Sequence, residues 1–184
     1  MIYPIVAFGD PVLKKKAKDI EKGSLDIKKL SADMFETMYE AHGVGLAAPQ
    51  IGMNLRMFVV DAAPMQEDEP TKFRRAFINP IILNEEGQEW AFDEGCLSIP
   101  GIRGEVMRPP TLTIKYLDED WNEHTENFDG IRARIIQHEY DHIEGILFID
   151  YFSSIKKRLL KGKLSNISKG SVDVDYRMKF PLKK

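Results

Sequence analysis

The chain has 184 residues, 43% of them apolar and 30% charged, which is enough for one well-packed core and short for two. No apolar run approaches the ~20 residues of a membrane helix, and the opening MIYPIVAFGDP meets Gly9, Asp10 and Pro11 too early for a signal peptide. The net charge of -3 is uneven: Lys156 to Lys184 hold ten Lys or Arg against two Asp, a balance of +8, leaving -11 upstream. Such a tail suits either a polyanionic neighbour, such as ribosomal RNA, or a solvated helix face. Neither a membrane nor DNA is an expected partner. One cysteine, Cys96, cannot form an internal disulfide, which fits a reducing cytoplasm and leaves the thiol to be explained. The chain reads as a single domain over 1–184, with about 153–184 a basic C-terminal extension.

In chain order, GDPVLKKKAKDI predicts a turn into a brief helix, and Asp26 can cap a longer one in which Ile27, Leu30, Met34 and Met38 form a core stripe widened by Phe35. His42 follows as a surface residue. Residues 43 to 52, GVGLAAPQIG, are rich in small side chains; taken alone they are a tight strand or turn that lets backbone approach closely. RMFVVD reads as a buried strand and 62–75 as an exposed loop of mixed charge. AFINPIIL and EWAFDEGC predict further strands, the second ending at Cys96. EVMRPPTLTIKYLDEDWNEHTENF predicts two more, joined at DEDWN, with Pro109 and Pro110 confining the first part to an edge or bend and His124 exposed. ILFIDYF predicts a short strand or extension, SSIKKRLLKGKLSNI a glycine-interrupted amphipathic helix, and SVDVDYRMKF an edge strand before a frayed end at Pro181 and the last lysines.

The chemistry concentrates in IRARIIQHEYDHIEG, residues 131 to 145. Asp129 and Gly145 are plausible caps, and Ile131, Ile135, His138 and His142 share one largely apolar face. Two imidazoles four residues apart converge on one point and suit a divalent metal; the other use of the pattern is a pair of core histidines bonded to carbonyls. Glu139, turned ~100° away, is poorly aimed as a ligand and well placed to touch an activated water. Hydrolytic sites take three protein ligands and leave a position open for water. A histidine six residues beyond His142 is ruled out by Phe148, and no glutamate follows Glu144, so Cys96, 42 residues before His138, is the remaining strong candidate.

Three separated motifs, GVGLAAPQ at 43 to 50, EGCLS at 94 to 98 and QHEYDH at 137 to 142, resemble the signature motifs of the peptide deformylases in order and separation. The likeness extends over about residues 1 to 155 and implies an α+β fold, with antiparallel β-sheets packed around a central metal-binding helix. It implies that Cys96, His138 and His142 bind one divalent metal, that hydroxide supplied by the metal attacks, and that Glu139 is general base and acid. It assigns oxyanion stabilisation to the Gln50 amide and the Leu97 backbone N–H. The implied substrate is the N-formyl group of nascent chains beginning with formylmethionine, and the product is formate. An extended peptide could add as a strand along the backbone of Gly43, Val44, Gly45 and Leu46, and the resemblance nominates Val44, Phe92 and Ile135 for the methionine pocket. Arg103 is either a substrate-side arginine or an exposed structural one. Glu94 and Arg108 look like a pair that orients a ligand histidine; Asp141 does likewise or faces solvent. A Cys and two His accept zinc, iron, nickel or cobalt, and the resemblance favours Fe(II). Two rival functions use the same residues: a small metallopeptidase, and a structural metal site in an RNA-binding module, which needs His42 or His124 as a fourth ligand.

Overall fold

The computed structural model describes residues 1–68 and 72–182. Helix α1, Ile27–Glu40, starts where the Asp26 side chain accepts from the Lys29 N–H, and it buries Ile27, Leu30, Met34, Phe35 and Met38 as the periodicity requires. The strands are β1 (Ile5–Val6), β2 (Gly45–Ala47), β3 (Met57–Asp61), β4 (Arg74–Glu86), β5 (Trp90–Cys96), β6 (Ile99–Arg108), β7 (Thr111–Leu117), β8 (Glu123–Asp129) and β9 (Met178–Lys179). Helix α2 spans Gly130–Ile143 and α3 Ser154–Lys169. The fold is α+β. A five-stranded antiparallel sheet runs β2-β3-β4-β7-β8, and β5 and β6 form a separate antiparallel hairpin. The β1-β9 pair is parallel, as is the isolated bridge between Lys18 and Leu55, and both depart from the expected antiparallel pairing.

The five-stranded sheet lies between two helices, which explains why β3 reads as an unbroken apolar run. Met57 and Val59 pack with Met34, Phe35 and Met38 on the α1 side, while Phe58 and Val60 pack with Ala133, Ile135, Ile136 and Ile143 on the α2 side. Phe77 anchors this second layer, its ring 4.8 Å from Phe58 and 4.4 Å from Tyr116. Helix α2 is therefore central and buries residues on nearly every face, Gln137 and Arg134 included. The single apolar face expected for it was too narrow, because the helix is covered from several sides. Asp129 holds the N-cap position without a side-chain capping bond.

Several local expectations are corrected. Pro109 and Pro110 take the bend alternative, and the stretch read as two strands holds parts of three: the prolines separate β6, which pairs with β5, from β7, which pairs with β4 and β8. ILFIDYF forms a 3-10 turn at Phe148–Tyr151 rather than a strand, because the Asp150 carboxylate accepts the Leu147 N–H at 2.8 Å and curls the backbone. Helix α3 runs through Gly162 without a break, since that residue faces open space and costs only its intrinsic propensity, ~1 kcal/mol. Of SVDVDYRMKF only Met178–Lys179 pairs, and the Leu182 N–H bonded to Ser168 O at 2.9 Å ties down the stretch expected to fray; Lys183 and Lys184 lie outside the described residues. The 62–75 loop contains a 3-10 turn at Ala63–Met65 and a buried Phe73, and residues 69–71 lie outside the described residues. His124 is not simply exposed: it meets Asp118 at 2.7 Å and stacks on Tyr116.

Candidate active site

The β5-β6 hairpin carries Cys96 to the α2 histidine pair. Cys96 pairs with Ile99 across a two-residue turn, and the register shift after Gly95 pushes the cysteine out of the regular ladder. The bulge on the facing strand is made by Gly101 at φ +76, a left-handed conformation that glycine adopts without strain. The Cys96 sulfur lies 3.4 Å from His142 Nε2, and one ligand atom from each of Cys96, His138 and His142 falls within 4.8 Å of the others.

Each ligand candidate is held in a distinct way. His138 donates from Nδ1 to Glu94 at 2.8 Å, which turns its other nitrogen toward the sulfur. Among the protein's own charges, burial lowers the His138 pKa, but bonding to Cys96 and Glu94 outweighs it and raises the imidazole to about 10. Burial, with the charges of His138 and Arg108, holds His142 well below its ordinary value, so it stays neutral and able to ligate. Its Nδ1 has no partner among the described residues. A sulfur and two imidazoles so placed fit a divalent cation of zinc or iron type.

Glu94 is the hub beneath the ligands. It is 4% exposed and accepts from Arg108 at 2.8 and 3.1 Å and from Arg134 at 2.9 Å as well as from His138. Burial would raise its carboxyl, yet the bonds from His138 and Arg108 hold it down at about 2. The expected Glu94–Arg108 pair is thus in contact, and Asp141 neither touches a histidine nor stands free in solvent: it accepts from Arg108 and from the Tyr151 hydroxyl, both at 2.8 Å. Sequence reasoning missed Arg134, whose guanidinium also donates to Val106 O and Trp90 O and lies 4.6 Å from the Trp90 ring. Its signal was present: an arginine four residues before His138, on a helix otherwise read as apolar there, needs a buried anion.

Glu139 is 4% exposed and its Oε2 has no partner among the described residues. Burial pushes its carboxyl up to about 7, against the charge of His138. Gly45 packs on it so closely that a Cβ there would overlap the carboxylate. Gln50, 1% exposed, has Oε1 engaged by the Ala47 N–H at 2.9 Å, which aims its NH2 at the Cys96 sulfur (3.5 Å) and Ser98 Oγ (3.3 Å). Leu97 sits in the hairpin turn, its carbonyl accepting from the Tyr176 hydroxyl at 2.7 Å. Burial, then Cys96 and Asp175, raises the Tyr176 phenol well above its ordinary value and keeps it a donor.

These groups open into a cavity of about 800 Å³ lined by Gly43, Val44, Gly45, Phe92, Arg103 and Ile135 among the expected residues, and by Met65, Asp173, Val174 and Tyr176, which sequence reasoning missed. Leu46 is the exception. Strand alternation turns its side chain into the α1 core, where it is fully buried, so only its backbone could serve a ligand. Arg103 stands at the rim, bonded to Asp93 at 2.7 Å with both side chains more than half exposed. His42 is exposed near Asp175 and His124 is held by Asp118, so neither of these histidines joins the cluster as the structural-site alternative requires.

Comparison with known proteins points the same way. Residues 2–158 match the family model described as Polypeptide deformylase. The chain is similar to a peptide deformylase of Cytophaga hutchinsonii, 68% identical over all of both chains, and to one of Christiangramia forsetii, 57% identical over 98% of this chain and 97% of that one. Its fold is similar to the peptide deformylase structures of Thermus thermophilus (TM-score 0.82, 39% identity, 93% of this chain and 100% of that one) and Legionella pneumophila (TM-score 0.81, 38% identity, 93% and 98%). With the match spanning β1 to β8, α1 and α2 and entering α3, the chain belongs to the polypeptide deformylase family.

Proposed function

We propose that this cleft removes the N-formyl group from formylmethionine at the start of nascent polypeptides, releasing formate, with Cys96, His138 and His142 holding one divalent metal ion. The observation that carries the reading is the convergence of those three ligand atoms beside a buried carboxyl, Glu139, that has an unpartnered oxygen and opens on the cavity. A bound ion supplies Lewis acidity, making hydroxide available near neutral pH and polarising a carbonyl. Glu139 takes the proton from the attacking water and returns it to the leaving amine. The Gln50 NH2 and the Leu97 N–H donate to the oxygen that gains charge as the formyl carbon becomes tetrahedral. An extended peptide lies along the outer edge of β2, the end strand of its sheet, with Gly43 to Leu46 offering main-chain bonds that tolerate any sequence. Val44, Phe92 and Ile135 receive the methionine side chain.

Fe(II) is the ion that the family resemblance favours; zinc, nickel and cobalt suit the same donors. A cytoplasmic setting agrees with a lone cysteine used as a ligand, and among the described residues no helix is long and apolar enough to cross a membrane. The chain is read as one domain, the basic extension from about residue 153 being folded back onto it through Ile167 in the core and the β1-β9 pair. The test is anaerobic purification with metal analysis, followed by formate release from a formyl-Met peptide against acetylated and unblocked peptides. Cleavage of unblocked peptides would favour the peptidase, and unfolding on chelation a structural metal. Gln50→Ala is expected to cost about 3 kcal/mol of barrier, a kcat loss of roughly 10²-fold with the metal retained; a loss under about fivefold would remove Gln50 from the oxyanion role.

Docking on the ribosome is proposed for the outer face of α3, where Ile155 and Leu159 are 72% and 78% exposed among the exposed Lys157, Arg158 and Lys163. Truncation after Gly162 is a poor probe, since it would also remove Ile167 and β9 from the core. Replacing Ile155 and Leu159 together by Glu should abolish co-sedimentation with ribosomes and leave formate release from a free peptide unchanged. Unchanged co-sedimentation would retire the idea.

A further inference from the structure

The segment beyond α3 reaches the cleft, although the reaction as described gives it no task. Tyr176 lines the cavity, its ring packs against the α1 core, and its hydroxyl spans 79 residues of sequence to donate to the Leu97 carbonyl at 2.7 Å. The same turn is held from the other terminus. Lys179 O accepts the Ala7 N–H and Ser98 O accepts the next one, Phe8 N–H, both at 2.9 Å. Gln50 holds Ser98 Oγ from a third side. Leu97 and Ser98 are the two residues between the paired Cys96 and Ile99, so within the hairpin they have the least backbone support of their own. Both of their carbonyls are instead fixed by the chain's two ends, which β1 and β9 bring together.

We propose that Tyr176 is a positioning residue for deformylation: by holding the Leu97 carbonyl it fixes the turn that presents the Leu97 N–H and the Cys96 sulfur. The inference rests on the function proposed above. A bond to the carbonyl sets the plane of the Leu97–Ser98 peptide. The plane that carries the Leu97 N–H is hinged to it at a single Cα, with Cys96 next in line. Released from Tyr176, the turn rocks about that hinge. A donor aimed at a transition-state oxygen loses more from a small misplacement than the main-chain bonds that hold a peptide along β2, so the loss falls on kcat.

Tyr176→Phe removes the hydroxyl and keeps the packed ring. With a formyl-Met peptide, kcat should fall about tenfold with KM within about twofold, the scale of one lost positioning hydrogen bond. In cobalt-substituted protein the thiolate-to-metal absorption band should move, while the melting midpoint stays within about 3 °C of the wild type. Arg177→Ala, exposed on the same segment and out of reach of the turn, should reproduce the wild type in all three readouts. A kcat loss under about twofold, a loss matched by a rise in KM, or an unmoved cobalt band overturns the inference while the function stands. Wild-type protein that releases no formate overturns the function, and the inference with it.

Discussion

Glu139→Gln is expected to lower kcat by about 10²- to 10⁴-fold while metal content, fold and KM stay close to the wild type. The substitution is nearly isosteric, so the packing of the side chain against Gly45, which leaves no room for a Cβ, is preserved. What disappears is an acceptor able to take up a whole proton and give it back. Glu139 is placed for that task by three features: it is 4% exposed, its Oε2 has no partner among the described residues, and it is not among the three residues whose ligand atoms converge. A carboxylate serving only to balance charge would be bonded on both oxygens, as Glu94 is. Kinetics on the formyl-Met peptide, metal analysis and circular dichroism of the same preparation decide the matter. A variant that keeps more than about a tenth of wild-type turnover cannot have lost its general base, and one that has lost its metal shows that Glu139 is a structural support of the ligands.

How much of this was legible depends on whether the information was local. The spacing of His138 and His142 fixes their common direction through helix geometry alone, and the GVGLAAPQ and EGCLS segments carried the rest of the resemblance. The α1 stripe of Ile27, Leu30, Met34 and Met38 was equally readable, because a helix covered on one side writes its burial into its periodicity. Helix α2 was not, since it is covered on several sides and its buried polar residues, Arg134 and Gln137, look like surface residues in a string of letters. ILFIDYF misled for the converse reason: an apolar run has no period to distinguish a strand from a tight turn, and the deciding bond is made by the Asp150 side chain. The 171–180 segment does alternate in burial, yet only two of its residues find a strand to pair with, so its place beside the cleft depends on where β1 lies, 173 residues earlier by the pairing of Ile5 with Met178. Leu46 shows the limit within a motif: the strand was suggested, but which face each residue takes needs the sheet and both helices.

Glu94→Gln should be the most damaging substitution for stability and should weaken metal binding through the same atoms. Among the described residues Glu94 is the one anion shared by Arg108 and Arg134, which are 5% and 2% exposed, and by His138. Each arginine keeps its charge at any ordinary pH. Arg108 retains Asp141 when Glu94 is neutralised, but Arg134 loses its carboxylate partner and keeps the carbonyls of Val106 and Trp90 and the faces of the Trp90 and Phe92 rings, with a second buried guanidinium nearby. Breaking a buried ion pair from one side costs about 3–5 kcal/mol, which in a domain of this size is a fall in the melting midpoint of roughly 6–20 °C. The amide also accepts less strongly from His138 Nδ1, so the ring loses its fixed orientation and some of its basicity as a ligand, a change that typically weakens metal affinity about 10- to 100-fold. Thermal denaturation and competition against a chelator of known affinity measure the two losses separately. A midpoint within about 2 °C of the wild type would mean that water or a rearranged Asp141 already shields the arginines, and the hub role of Glu94 would have to be given up. The double variant Glu94→Gln with Arg134→Met is the sharper measurement: if the cost comes from a stranded charge, removing that charge should recover much of the lost midpoint, whereas the metal affinity, which depends on the carboxylate meeting His138, should stay low.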